Sequence, residues 1–249
     1  MSETSRETTA QSAPLLTVDD VDYSFGAVSV LDGVSFEVPR RSITAVVGPN
    51  GSGKTTLAEI VAGLRRADSG EISLDARGER QVGYLPQTPR FRPAFSVEET
   101  LRFYADLLAT PVDVGTVLDR VGLGDVRDRR VDALSGGMRR LLGLAQSFLG
   151  DPSLVILDEP TSGLDPRMTK QIFDVAAAQT DEGTAIFLTT HDLSYAADAD
   201  RIVVLDNGSA VSYGTPAELL ERTNTDSLSE AFLATVGPTP AVQTGTEEK

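Results

Sequence analysis

At 249 residues the chain is long enough to bury one sizeable core, or a core domain carrying a smaller insertion. It has no cysteine, which excludes disulfides and Cys-based metal sites, and no apolar run approaches the roughly 18 residues needed to cross a bilayer. The formal charge of −15 argues against sequence-independent binding to nucleic acid, whose affinity comes from neutralising phosphates. Only Lys54, Lys170 and Lys249 among the 22 basic residues are lysines; an acidic, Lys-poor surface suits a high-salt cytoplasm, and a GC-rich genome favouring Arg codons produces the same bias.

Residues 1–14 are polar and lack the apolar segment of a secretory signal, so they read as a disordered tail on a chain expected in the cytoplasm or peripheral at the cytoplasmic face of the cell membrane. Residues 15–236 read as a single domain, and residues 237–249 as a second disordered tail. From Leu15 to Val38 the pattern alternates between short Gly/Asp turns, which predicts an antiparallel β subdomain. The strand SITAVV follows, then the Gly-rich run GPNGSGKT and a helical pattern over Thr55 to Leu64.

Residues from about 88 to 150 break the strand rhythm. There Ser96 caps the run SVEETLRFYADLL with Glu99 at the capping-box position, which predicts a helical insertion. LSGGM, Leu134 to Met138, opens a further apolar helical run inside it. Beyond it come LVILDEP, a helical pattern over Pro166 to Ala178, AIFLTT and RIVVLDNG. Several of these strands are nearly continuous Val/Ile/Leu, as in a parallel sheet buried on both faces, so the fold class is α/β with a mostly parallel sheet.

Two runs carry chemistry. In Gly48, Pro49, Asn50, Gly51, Ser52, Gly53, Lys54, Thr55 and Thr56, glycines let backbone N–H groups encircle phosphate oxygens at a helix N-terminus. Lys54 is placed to reach the β- and γ-phosphates, and the Thr55 hydroxyl to complete magnesium coordination. The full spacing between a strand and a helix separates this run from an ordinary glycine turn. In LVILDEP, Asp158 can hold Mg2+ and Glu159 can orient or deprotonate an attacking water. Strands often end in solvated acids, but beside a phosphate loop this pair is the expected second half of a nucleotide triphosphatase, giving a P-loop NTPase core.

With these runs in order, the chain from about Leu15 to Gly214 resembles the ATP-binding-cassette (ABC) ATPases, the ATP-hydrolysing subunits of ABC transporters. LSGGM stands at that family's LSGGQ signature, Gln87 in GYLPQ at its Q-loop, Ser162 to Asp165 (SGLD) at its D-loop, and His191, the only histidine, at its switch histidine. The resemblance implies that Gln87 senses Mg2+ and γ-phosphate near the membrane-subunit contact, and that His191 contacts γ-phosphate and helps position the water. It implies an aromatic stacked on adenine, for which Phe25 fits the place and Tyr23 is the alternative; a plain core aromatic is the third reading. It also implies that Ser135, Gly136, Gly137 and Asp165 act in trans, on ATP held by a second chain, so that two ATP molecules are sandwiched in a homodimer or heterodimer of ATPase subunits.

Three positions depart from the family pattern. Met138 replaces the usual Gln, a swap associated with exporter-type members; Leu141 stands where Arg is usual, with Arg140 beside it; Arg41 occupies the place of a customary Gly. The C-terminal runs YGTPAELL and SLSEAFLATVG resemble exporters of the ABC-2 type, while SVEETLRFYADLL with GLAQSFLGDP is similar to the ATPase of the copper-processing system that matures nitrous oxide reductase. The expected function is therefore ATP hydrolysis that drives transport, in the export direction, through a separate permease subunit that spans the membrane. A soluble ABC ATPase of the iron–sulfur assembly type and a non-hydrolysing nucleotide-gated module are the alternatives.

Overall fold

The structure is a computed structural model that describes residues 13–236; the two tails expected at residues 1–14 and 237–249 lie, apart from Ala13 and Pro14, outside the described residues. Two sheets form. The smaller has the order β2-β1-β4 and is antiparallel throughout, built from β1 (Leu16–Phe25), β2 (Val28–Val38) and β4 (Ser69–Leu74). The alternation over 15–38 accounts for its hairpin; β4 carries no comparable apolar signal and joins by pairing Leu16 with Leu74.

The larger sheet has the order β5-β6-β7-β3-β8-β9, formed by β3 (Ile43–Val47), β5 (Val82–Leu85), β6 (Leu154–Asp158), β7 (Ala185–Thr190), β8 (Arg201–Asp206) and β9 (Ser209–Gly214). All its pairings are parallel except the β8–β9 hairpin. The uniformly apolar strands are explained by two separate cores, one on each face. Val47, Val155, Leu157, Ile186 and Leu188 pack on one side, whereas Val46, Leu154, Ile156, Ala185 and Phe187 pack on the other with the β1–β2 hairpin and α1 (Lys54–Val61).

The insertion lies between β5 and β6 as expected, and contains α2 (Val97–Ala105), α3 (Val114–Arg120) and α4 (Gly136–Phe148). Ser96 and Glu99 form the expected reciprocal capping box. Towards the C-terminus follow α5 (Pro166–Asp181), α6 (Leu193–Ala196), α7 (Pro216–Thr223) and α8 (Leu228–Thr235). The first helix ends three residues before the predicted Leu64 because Gly63 turns left-handed at φ 72°. Helix α5 runs past Ala178 to Asp181, and Gly183, with φ 113°, lies in the turn that leads into β7. The place of a customary Gly at Arg41 has a physical counterpart, since Arg41 adopts a left-handed φ of 53°.

The insertion is seated on the sheet by two glycine contacts. A Cβ on Gly83 would lie 1.9 Å from the Ser147 carbonyl oxygen of α4, and one on Gly143 of α4 would lie 2.5 Å from Leu85. Helix and strand therefore meet almost backbone to backbone, and α4 has little freedom to slide. Gly83→Ala is expected to lower unfolding free energy by about 1–3 kcal/mol, read in a urea titration. Gly136→Ala, whose Cβ would meet open space at the first helical position, should leave it unchanged or slightly higher.

Candidate active site

The parallel register brings the sequence-predicted residues to one edge. Leu85 pairs with Leu157, Asp158 with Thr189 and Val47 with Thr190, so β5, β6, β7 and β3 end side by side. The segments that leave them carry Gln87, Glu159, His191 and Gly48 in a row, at the strand carboxyl ends where open α/β sheets bind ligands. An open cavity of about 290 Å³ lies there, lined in part by Asn50, Lys54, Thr55, Thr56, Gln87 and Glu159.

The loop itself needs its glycines. A Cβ on Gly48 would sit 2.1 Å from the Leu205 carbonyl oxygen, and Gly51 and Gly53 have φ of 82° and 102°. Gly53 also lies under Val30 of β2, whose carbonyl would be 2.8 Å from an added Cβ, so the small sheet presses on the loop. Gly51 by contrast faces open space. Lys54 curls back over the loop and donates to the carbonyls of Gly48 (2.9 Å) and Pro49 (3.0 Å), and its ammonium is 3.9 Å from Glu159 Oε1. Burial holds its pKa below the ordinary lysine value, opposed by the carboxylates of Glu159 and Asp158. This loop, with α1 behind it, fits a polyphosphate; the Lys54 ammonium is held among carbonyls that a phosphate oxygen can replace as partners.

Asp158 is almost fully buried and accepts from Thr189 Oγ1 (2.6 Å) and Thr55 Oγ1 (3.2 Å), both on Oδ1. Its pKa is raised by desolvation, against the two hydroxyl bonds. Paired hard oxygens of Thr55 and Asp158 suit a magnesium ion. Glu159 sits just past the strand end with a left-handed φ of 46°, a strained conformation for a residue with a Cβ. Its N–H is held by Thr189 Oγ1 at 2.9 Å, and His191 Nδ1–H donates to its Oε2 at 2.8 Å.

Other predicted residues lie elsewhere. Ser135 caps α4 by accepting from Met138 N–H, and Asp165 caps α5 by accepting from Met168 N–H. Ser135, Gly136 and Asp165 are exposed, whereas Gly137 is buried against Met168, and none of the four lines the cavity. Phe25 is 49% exposed, which excludes the plain core reading. Its ring meets the Tyr23 ring edge-on at 5.0 Å and the Arg65 guanidinium at 4.8 Å, while the Tyr23 hydroxyl accepts from Arg65. Phe25 is also outside the cavity lining. One functional neighbour has no signal in the sequence beyond a Thr pair closing an apolar strand, Thr189; Arg140, which stands beside Leu141 in the sequence, is buried and donates to the carbonyls of Gln87 and Glu159.

Comparison with known proteins places this geometry. The family model described as "ABC transporter" matches residues 31–162. The chain is 34% identical over 223 residues to a Nod factor export ATP-binding protein I of Ralstonia nicotianae, covering 84% of this chain and 70% of that protein. It is 37% identical to the daunorubicin/doxorubicin resistance ATP-binding protein of Streptomyces peucetius, covering 78% and 63%. Among solved structures, an ATP-binding subunit of an ABC transporter superposes with a TM-score of 0.78 at 30% identity, covering 88% of this chain and 98% of that one.

A buried, desolvated Asp158 is a liability in the protein without ligand. Because its folded pKa is raised, the deficit is fully present above that pKa and disappears as pH falls through it towards the ordinary carboxylate value. In EDTA without nucleotide, Asp158→Asn should raise the thermal midpoint at neutral pH by about 2–4 °C, the shift that ~1 kcal/mol gives a chain of this size. The gap from the parent should narrow near pH 4.

Proposed function

The chain belongs to the ABC transporter family as one of its ATP-binding subunits, and from that premise we propose that two ATPase subunits close head to tail around two ATP molecules and drive a separate permease by closing and reopening. The chain is a transport-coupled, nucleotide-binding ATPase. The supporting observation for the composite site is the split just described: the phosphate loop, Glu159 and His191 line one edge, while the exposed N-terminus of α4 with Ser135 and Gly136 lies away from the cavity. Phosphoryl transfer needs donors all round the γ-phosphate, and one chain provides them from one side.

In this reading Gly48 to Thr56 hold the phosphates with main-chain N–H groups and the Lys54 ammonium, and Phe25 stacks on adenine with Arg65 behind it. Thr55, Asp158 and Gln87 would hold Mg2+, and the ion when bound would supply charge neutralisation of the transferring phosphates. Water attacks the γ-phosphorus, the bond to the β–γ bridging oxygen breaks, and the water proton passes to Glu159, leaving ADP and phosphate. His191 holds the Glu159 carboxylate in line through its Nδ1–H. Ser135, Gly136 and Gly137 of the second chain close over the γ-phosphate, with Asp165 at the seam.

No helix among the described residues is long and apolar enough to cross a membrane, so the transport path belongs to a partner. The chain would work at the cytoplasmic face of the membrane, its insertion and the Gln87 region receiving the permease. Export is the favoured direction, because relatives carry the printed functions of Nod factor export and drug resistance and Met138 accords with exporter-type members.

Glu159→Gln should lower ATP turnover by about 10²–10⁴-fold while leaving ATP binding intact, measured by phosphate release and by nucleotide titration. With millimolar ATP the same variant should elute as a dimer in size exclusion; a monomer there, with and without the permease, counts against the sandwich.

A further inference from the structure

One buried cation joins elements that the mechanism treats separately. Arg140 lies on α4 one turn beyond the capping Ser135 and is only 9% exposed. On a helix it shares a face with Gly136, Gly137 and Gly143, three and four residues away. The Gly143 end of that face is seated on the sheet, where Gly143 abuts Leu85 and Pro89, while Gly136 at the other end meets open space. The guanidinium therefore enters the seam between α4 and the ends of β5 and β6. There its Nη1 donates to the main-chain carbonyls of Gln87 and of Glu159, the latter at 3.3 Å.

The partners are unusual. Among the described residues no carboxylate lies within ion-pair distance of Arg140, so a charge taken out of water is held by peptide oxygens and by the more distant field of Asp158 and Glu159. Burial lowers its pKa from the ordinary arginine value, and those two carboxylates oppose the shift. The neighbouring Leu141 is buried in the apolar core, so the position where the family pattern has Arg serves packing here, and the cation works one residue earlier. One of the two carbonyls belongs to the residue with the left-handed φ of 46°. The two peptide groups flanking its Cα are thus both held, one by Thr189 at the N–H and the other by Arg140 at the carbonyl.

We propose that Arg140 is a positioning residue that couples the two ATP sites: when Ser135 to Gly137 close on the ATP of a neighbouring chain, α4 carries the Arg140 guanidinium, and with it the peptides of Gln87 and Glu159 in its own site. The inference rests on the head-to-tail reading above. It explains why the helix that caps one nucleotide is fastened by a cation to the residue that takes the proton of the water attacking the other. Seating of α4 by Gly83 and Gly143 makes it a stiff lever, so a displacement at Ser135 is transmitted to Glu159 instead of being absorbed in the seam.

The test measures ATP turnover against ATP concentration for the full chain, with Arg140→Met and Arg140→Lys and a separate nucleotide titration. The parent should be cooperative, with a Hill coefficient above one. Arg140→Met should lose about 10–100-fold in kcat, the scale expected when an attacking group is misplaced by a fraction of an ångström to one ångström, with ATP affinity within about twofold of the parent and the Hill coefficient reduced to one. Arg140→Lys, which keeps a buried cation and its donors, should recover most of the turnover and remain cooperative. If Arg140→Met unfolds, Arg140→Gln, which keeps a donor without the charge, takes its place: a fall of a few-fold or more in kcat with unchanged affinity and a Hill coefficient of one supports the coupling, and parental kcat and Hill coefficient overturn it. A cooperative parent that Arg140→Met leaves unchanged in kcat and Hill coefficient overturns the role of Arg140 alone. A non-cooperative parent overturns the coupling together with the head-to-tail reading beneath it.

Discussion

The site depends on the register of four parallel strands. Because Asp158 is level with Thr189 and Val47 with Thr190, the loops that leave β6, β7 and β3 emerge together, and β5 adds Gln87 through the Leu85–Leu157 pair. A slip of one residue in any strand would exchange the side chains offered to the two cores and mispack both, so the register is held by the fit of each face to its own core. The two cores, one on each face, thus fix the chemistry at the edge without touching it.

Against that rigid frame the site keeps groups that folding alone would not choose. Lys54 and Asp158 are buried charges disfavoured by desolvation, and Glu159 holds a left-handed backbone. Local strain and uncompensated burial of this kind persist where surrounding packing over-determines the geometry. In the proposed reaction a phosphate beside Lys54 and a divalent cation beside Asp158 would offset that desolvation, so binding energy would be recovered where folding energy was forgone. The same logic extends to Arg140, whose buried charge is held by the carbonyls of the two segments it must keep in step.

Much of this was legible from residues in order. GPNGSGKT and LVILDEP each state their chemistry through residue type and spacing, and the Val/Ile/Leu runs announce a sheet buried on both faces. What the sequence concealed was spatial. β4 and β5 are short and only partly apolar, and they become strands through pairing with β1 and β6 rather than through their own pattern. Thr189 and Arg140 have no motif, because their roles exist only across pairs distant in sequence: 31 residues separate Thr189 from Asp158, and 53 separate Arg140 from Gln87. Arg140 stands out in the sequence only as the neighbour of Leu141, and its burial and its two carbonyl partners emerge only when α4 is laid on the sheet. Phe25 was placed by resemblance; its exposure and the Arg65 clamp could not be foreseen from spacing.

The central claim is that each ATP site is built from the phosphate loop of one chain and the α4 N-terminus of another. Complementation tests it directly: Lys54→Met and Ser135→Arg chains, each inactive alone, are mixed and assayed for ATP turnover. In a mixed pair one site keeps both an intact Lys54 and an intact Ser135. Random pairing should therefore restore measurable activity, up to the roughly one quarter of the parental value that independent sites would give and less where the dead site slows its coupled neighbour. A mixture as inactive as either variant alone would contradict the composite site.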